Sequence, residues 1–166
     1  MAANKVGYAS ASQGLLTDVD SVAQAGTPNI FRNPPGQRQF DEAGNEYIYL
    51  LGVASTVIGS CVTYGLNGTT AYQTALSVTG ATGPVAIAMA ATLAAQWGWY
   101  QIFGFGTALF NGAAVAGKSL FSASTGKVDD AVVSGDKIYG GWVAATVGSA
   151  VLGAVYLQYP GMEAND

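Results

Sequence analysis

From Tyr47 to Tyr159 the chain is a succession of short apolar runs. YIYLLGV, CVTYGL, YQTALSV, PVAIAMAATL, WGWYQIF, ALFNGAAVAG, SLFSA, DKIYGGWVAA and AVLGAVYLQY follow one another with Gly, Asn, Thr or Ser between them. Runs this short, rich in β-branched and aromatic residues and spaced roughly 8–12 residues apart, predict an all-β domain built as a small β-barrel or β-sandwich. Turn chemistry agrees. Asn67-Gly68 falls between CVTYG and TAYQT and signals a hairpin. Ser124-Thr125-Gly126-Lys127 and Ser134-Gly135-Asp136-Lys137 are further turn candidates.

The stretch QWGWYQIFGFGTALF, Gln96 to Phe110, shows how the period is read. In steps of two, one face is Trp97, Trp99, Gln101, Phe103 and Phe105. The other is Gly98, Tyr100, Ile102, Gly104 and Gly106. Large side chains opposite small ones predict a strand that packs a core on one side and meets a close layer on the other. A helix would lose about 1 kcal/mol at each glycine relative to alanine. A membrane helix needs about 20 apolar residues. The window Pro84 to Phe103 is long enough, but Gln96 and Gln101 interrupt it and no Lys or Arg flanks it.

The chain divides into three parts. Residues 1–46 read as an extended N-terminal arm: small and polar residues, then TPNIFRNPPGQRQFDEAGNE, in which Pro28, Pro34 and Pro35 forbid a continuous helix. Phe31 and Phe40 stand alone in polar surroundings, as anchors for a partner would. Residues 47–160 are the β domain, and 161–166 a short acidic tail. The start MAANKVGYASASQG has no apolar core of a signal peptide.

Charge changes the picture most. The chain has 166 residues, a net charge of −4 and only 10% charged residues, against a norm of roughly 25%. No Asp, Glu, Lys or Arg occurs from Tyr47 to Gly117. A soluble monomer seldom leaves so long a span uncharged, so protein or lipid is expected to cover much of it. The cations Lys5, Arg32, Arg38, Lys118, Lys127 and Lys137 are dispersed and make no basic patch, which argues against a nucleic-acid partner.

Candidate chemistry is sparse. There is no His, and the single Cys61, in a β-like run, supports neither an intramolecular disulfide nor a Cys/His zinc site. One thiol fits synthesis in a reducing cytoplasm. Asp129-Asp130 is the one tight acidic pair, and neighbours on a strand point to opposite faces, so a solvated turn is expected. Gly104-Phe105-Gly106 has no third glycine at the dinucleotide spacing. Gly112 to Ser119, GAAVAGKS, fits the letters of a phosphate-binding loop, but the chain shows no βα alternation to give it a helix. No enzyme activity, cofactor or metal is expected.

Several segments together resemble the small capsid decoration (cement) proteins of tailed bacteriophages. They are NEYIYLLGVASTVIGSCVTY, TGPVAIAMAATLAAQWGWYQIFGFGTAL, AVAGKSLFSASTGKVDDAVVSGDKIYGGWVA and AVLGAVYLQYP, spanning about Asn45 to Pro160. The resemblance implies a non-enzymatic virion protein made in the host cytoplasm. It would act on the outer capsid surface as a homotrimer clamping major capsid protein subunits, with no nucleic acid or membrane partner. The residues expected to carry this are Ile30, Phe31, Arg32, Arg38 and Phe40 of the arm for capsid or neighbour contact. Trp97, Trp99, Tyr100 and Phe103 are expected in core or subunit packing. Other phage structural β-proteins, tail-tube or fibre associated, are an alternative. So is a carbohydrate-binding β-sandwich module with Trp97, Trp99 and Tyr100 as its sugar platform.

Overall fold

The computed structural model describes residues 20–21, 33–67, 70–92, 96–132 and 136–163. For 20–21, 66–67, 70–71 and 73 it gives the backbone alone. Ile30, Phe31 and Arg32 lie outside the described residues, as do residues 68–69 of the first predicted turn and 133–135 around the third.

The protein is all-β, with eleven strands among the described residues. They are β1 (Asp20–Ser21), β2 (Arg38–Phe40), β3 (Glu46–Leu51), β4 (Cys61–Asn67), β5 (Thr70–Leu76), β6 (Gly83–Ala88), β7 (Gln96–Leu109), β8 (Ser119–Ser122), β9 (Val128–Asp129), β10 (Lys137–Val143) and β11 (Leu152–Met162). The Asn-Gly signal marks a real hairpin, since β4 and β5 run antiparallel out to the pair Asn67↔Thr70. Ser124 to Lys127 turns β8 into β9, closed by the Lys127 amide on the Ser124 carbonyl at 2.8 Å. Ser119 opens a strand where a phosphate-binding loop would open a helix.

The 14-residue β7 is the spine. One of its edges pairs with β3. Its other edge meets β1, then β6, then β11 in succession. Pairings also run β3–β5, β5–β4, β4–β6 and back to β7. Two of these joins are brief. Leu51↔Gln73 is the single parallel pair between β3 and β5, and β6 meets β7 only at Ile87↔Gln101 and Ala88↔Tyr100. The sheet is therefore rolled, and stays open along most of the β3–β5 seam.

Alternation along the strands fills two cores from one sheet. Inside the roll lie Ile48, Leu50, Val62, Ala86, Ala88, Tyr100 and Ile102. The opposite faces of β4 and β6, through Cys61, Val85 and Ile87, join β8–β11 in a second core with Phe110, Leu120, Val128, Ile138, Val155 and Leu157. Strands buried on both faces read as continuous apolar runs, which is why β3 and β6 carry no charge after Glu46. A third cluster, Tyr47, Tyr49, Trp97 and Trp99, lies on the outer side of β3 and β7.

The sheet also reaches back before Tyr47. β2 pairs with β3 as Arg38↔Ile48, Gln39↔Tyr47 and Phe40↔Glu46. The Gly36 amide and the Gln37 carbonyl continue that ladder onto Tyr49. At the other end β11 continues to Met162. Removing residues 1–40 would therefore strip the second edge of β3.

Candidate functional site: an exposed aromatic sheet face

β7 changes character at a bend. The register against β3 slips between Glu46↔Phe103 and Tyr47↔Gln101, leaving one extra residue on β7. Gly104 follows at φ 93°, where an L side chain is strained and a Cβ would strike the Asn45 side chain. Beyond the bend, side chains replace β3. Gln101, fully buried, donates from Nε2 to the carbonyls of Phe103 at 3.1 Å and Phe105 at 3.0 Å. Asn45 Oδ1 accepts the Phe105 amide at 3.0 Å. Gly106 leaves room for the Gln101 amide, since any Cβ there would collide with it. The edge is thus occupied at Phe103 and Phe105 and blocked there to another strand.

With both its backbone groups turned to that edge, Phe105 forms a non-hydrogen-bonded pair with Tyr156 of β11, the type in which side chains stand closest. Tyr156 in turn faces Trp142 of β10. The row Phe105–Tyr156–Trp142 crosses three strands with ring centroids 4.8 and 6.2 Å apart. Phe103 extends it, 6.2 Å from Tyr156 and 5.2 Å from Tyr159. Phe105 is 70% exposed, and Trp142, Tyr139 and Tyr159 are exposed as well. Leu152 and Val151 continue the apolar surface, with Leu152 reaching the turn at Gly59 beside exposed Val57 and Ile58. β11 has no charged residue at all, and Lys137, beside the Tyr139 ring at 5.3 Å, is the one charge on β10. Soluble proteins seldom expose so continuous an apolar face without a partner.

A polar cluster fixes the end of this face near the bend. Asp41 accepts from the amides of Ala43 and Asn45, from Asn45 Nδ2 and from the Tyr47 hydroxyl, all at 2.8–2.9 Å. Burial pushes the Asp41 carboxyl up, but these hydrogen bonds outweigh it and hold it below the ordinary value. Burial, and then the bond to Asp41, pushes the Tyr47 hydroxyl well up. Glu46, buried, accepts from the Tyr159 hydroxyl at 2.6 Å and from Arg38 Nη1 at 3.4 Å. The Arg38 guanidinium lies 5.9 Å from the Tyr159 ring centre. Tyr159 sits at φ 48°, in an irregular part of β11 where Gly140 packs against the Gln158 carbonyl.

The residues singled out from sequence are dispersed. Arg38 and Phe40 project from β2, both exposed. Trp97, Trp99 and Tyr100 are interior, at 5%, 2% and 0% exposure. A sugar platform on those three rings is thereby corrected: Tyr100 points into the roll, and the two tryptophans pack on Tyr49 at 5.7 and 5.2 Å. Of the predicted residues that are described, only Phe103 belongs to the row. The reading of β7 as one packed face and one close-layered face is also corrected. Its first half is covered on both faces, and its second half turns the large face to solvent. Sequence reasoning missed Tyr156, Trp142 and Tyr159. Alternation in AVLGAVYLQY was the available signal, but alternation does not say which face is covered.

Asp129 and Asp130 cap backbone amides, of Ala131 and Val115 respectively, each at 3.0 Å. Burial raises the Asp129 carboxyl, and the charges of Asp130 and Asp136 add to that. Burial likewise pushes the Cys61 thiol up to about 11, where it is unreactive. Among the described residues no group of three His, Cys, Asp or Glu is placed to hold a metal, and no helix is long and apolar enough to cross a membrane.

Neither a protein-family model nor a curated protein matches the sequence. The fold has a solved counterpart in the head fiber gp8.5 N base of bacteriophage phi29. The TM-score is 0.54 at 8% identity, covering 70% of this chain and 97% of that one. The likeness is one of fold.

Proposed function

We propose that the protein is a structural component of a bacteriophage virion, a decoration protein that seats its aromatic face against protein on the outside of an assembled shell. The observation that carries this reading is the uncharged row Phe105–Tyr156–Trp142 with Phe103 and Tyr159 beside it. Tyr, Trp and Phe are the residues enriched at the centres of protein interfaces, and charge is depleted there. The likeness in fold to a phage head-fiber base and the sequence resemblance to cement proteins both support it. In this reading the role is non-enzymatic and the partners are the major capsid protein and sister copies in a homotrimer. Repetition around a trimer multiplies weak contacts by avidity. Phe40 and Arg38, exposed on β2, add contacts at the margin of the face.

The test is co-sedimentation with emptied shells of the phage that encodes the chain, alongside light scattering of the free protein. Wild type should pellet with shells and the double variant Phe105→Ala/Trp142→Ala should stay in the supernatant, still folded. Unchanged pelleting of the double variant would remove this face from the reading.

A fibre-associated role is the second reading, favoured by the kind of protein that shares the fold. It expects elongated particles by negative-stain microscopy where decoration expects discrete trimers.

A further inference from the structure

The open end of the roll holds a cavity of about 450 Å³ that the aromatic face does not use. Its wall is Ile48 of β3, Tyr64 and Gly65 of β4, Tyr72 of β5 and Pro84 of β6, and Gly36 and Arg38 close it from the β2 side.

Two features separate it from a packing fault. Tyr72 is held at φ 64°, a backbone state that non-glycine residues keep only where the surroundings impose it. Its ring lies against Gly36, where any Cβ would collide with it. That ring, on the bulged residue of β5, forms one side of the cavity. The polar groups, in turn, are under-used. No hydrogen bond to the Tyr64 or Tyr72 hydroxyl is found among the described residues. Arg38 gives a single long contact to Glu46, at 3.4 Å, and keeps its other donors.

We propose that this cavity binds one hexopyranose ring of a neutral saccharide. The Tyr64 and Tyr72 side chains would take its apolar C–H face, and Arg38 with the tyrosine hydroxyls would take its hydroxyl groups. Each alternative ligand class leaves something unmatched. A purely apolar side chain from a peptide would cover two hydroxyls and a guanidinium without giving them partners, which costs more than the contact returns. An anion would meet Arg38 but also the Glu46 carboxylate beside it, on a chain of net charge −4. A neutral sugar offers one apolar face and hydroxyls that both donate and accept, and the volume lies within the usual range for small-ligand sites, roughly 300–1,000 Å³. The inference goes beyond the shell-binding reading and does not depend on it.

The experiment is an NMR titration of the full-length, isotope-labelled protein with maltohexaose, cellohexaose, laminarihexaose and chitohexaose at up to millimolar concentration. Saturable shifts are expected at the amides of Gly36, Gly65 and Tyr72 with at least one of the four. Tyr64→Phe, which removes a single hydroxyl, and Arg38→Gln should each weaken that binding about tenfold, the factor that one lost hydrogen bond supplies. Phe105→Ala should leave it unchanged. No saturable shift with any of the four sugars overturns the proposal. Shifts confined to the Phe105–Tyr156–Trp142 row overturn it too, as does binding that Tyr64→Phe and Arg38→Gln both leave intact. Loss of shell binding in Phe105→Ala/Trp142→Ala bears only on the other reading.

Discussion

The two halves of β7 carry the same kind of residue to opposite ends. Before the bend, Trp97 and Trp99 are packed with Tyr47 and Tyr49. After it, Phe105 stands 70% exposed in a row with Tyr156 and Trp142. Trp97, Trp99 and Phe105 share one period-two face in the sequence, but the extra residue at the bend moves Phe105 to the face that carries Tyr100 and Ile102 before it. The neighbour changes as well: β3 runs beside the first half and stops, and the Asn45 and Gln101 side chains take its place. An aromatic residue in this sheet thus stabilises the fold or offers an interface according to the face the bulge gives it and to where the adjoining strand ends.

The largest effect should come from the covered half. Trp99→Ala removes a side chain that is 2% exposed. It should cost about 3–5 kcal/mol in urea unfolding, the range for emptying a large aromatic site. A loss below about 1 kcal/mol, typical of surface changes, would mean that the covering of this half is loose and the comparison misplaced.

Gln101 tests the device that separates the halves. Gln101→Leu keeps bulk but withdraws the donor from two carbonyls, Phe103 and Phe105. Losing two part-buried hydrogen bonds costs about 1–3 kcal/mol, at about 0.5–1.5 kcal/mol each. The same change frees a strand edge, so the variant should also aggregate sooner in a turbidity assay run below its unfolding midpoint. Wild-type solubility with reduced stability would show that Asn45 alone protects the edge.

Much of this was legible in the sequence, for identifiable reasons. The all-β class followed from short apolar runs and turn chemistry, and the Asn67-Gly68 hairpin and the Ser124–Lys127 turn joined strands as their residues required. The sequence also made Gly104 and Gly106 strand glycines. What it could not show was the roll. β3 meets β5 through residues 51 and 73, and β7 meets β11 through residues some fifty positions apart, pairings that no local period encodes. Since burial follows from those long-range joins, Trp97, Trp99 and Tyr100 were open to reading as core or subunit packing or, in the rival view, as a sugar platform, and they are interior, while nothing local marked Tyr156, Trp142 and Tyr159 on β10 and β11. Two of the polar anchors of the bend, Asp41 and Asn45, carry no local signal of that role, because Phe105 docks on Asn45 from sixty residues along the chain.

Asp41 offers a gentler probe of the same junction. Its folded-state value lies below that of an unfolded aspartate, near 3.9. The stability it contributes is therefore fully present above that pH and is lost as pH falls through the lower, folded value. Urea midpoints should hold steady from neutral pH down to about 4 and decline below it, with Asp41→Asn showing a shallower decline. Parallel acid limbs for the two proteins would detach this carboxylate from the stability of the bend.

Phe105→Ala should have the smallest effect on the fold and is the sharpest test of the contrast. The ring is mostly in water, so truncation removes little buried area, and its backbone bonds to Asn45 and Gln101 do not depend on the side chain. Stability should stay within about 0.5 kcal/mol of wild type, as for ordinary surface substitutions. Some contact with Tyr156 is lost, but a cross-strand pair contributes only about 0.2–1 kcal/mol, and a partly solvated one sits at the low end. Association should respond very differently, because truncating an aromatic anchor at the centre of an interface commonly costs 2 kcal/mol or more, or about thirtyfold in affinity. Shell binding by Phe105→Ala is therefore expected to fall by at least about tenfold while its urea midpoint stays close to that of wild type. If the midpoint moves and binding does not, the exposed half of β7 serves the fold as the covered half does, and the distinction between them disappears.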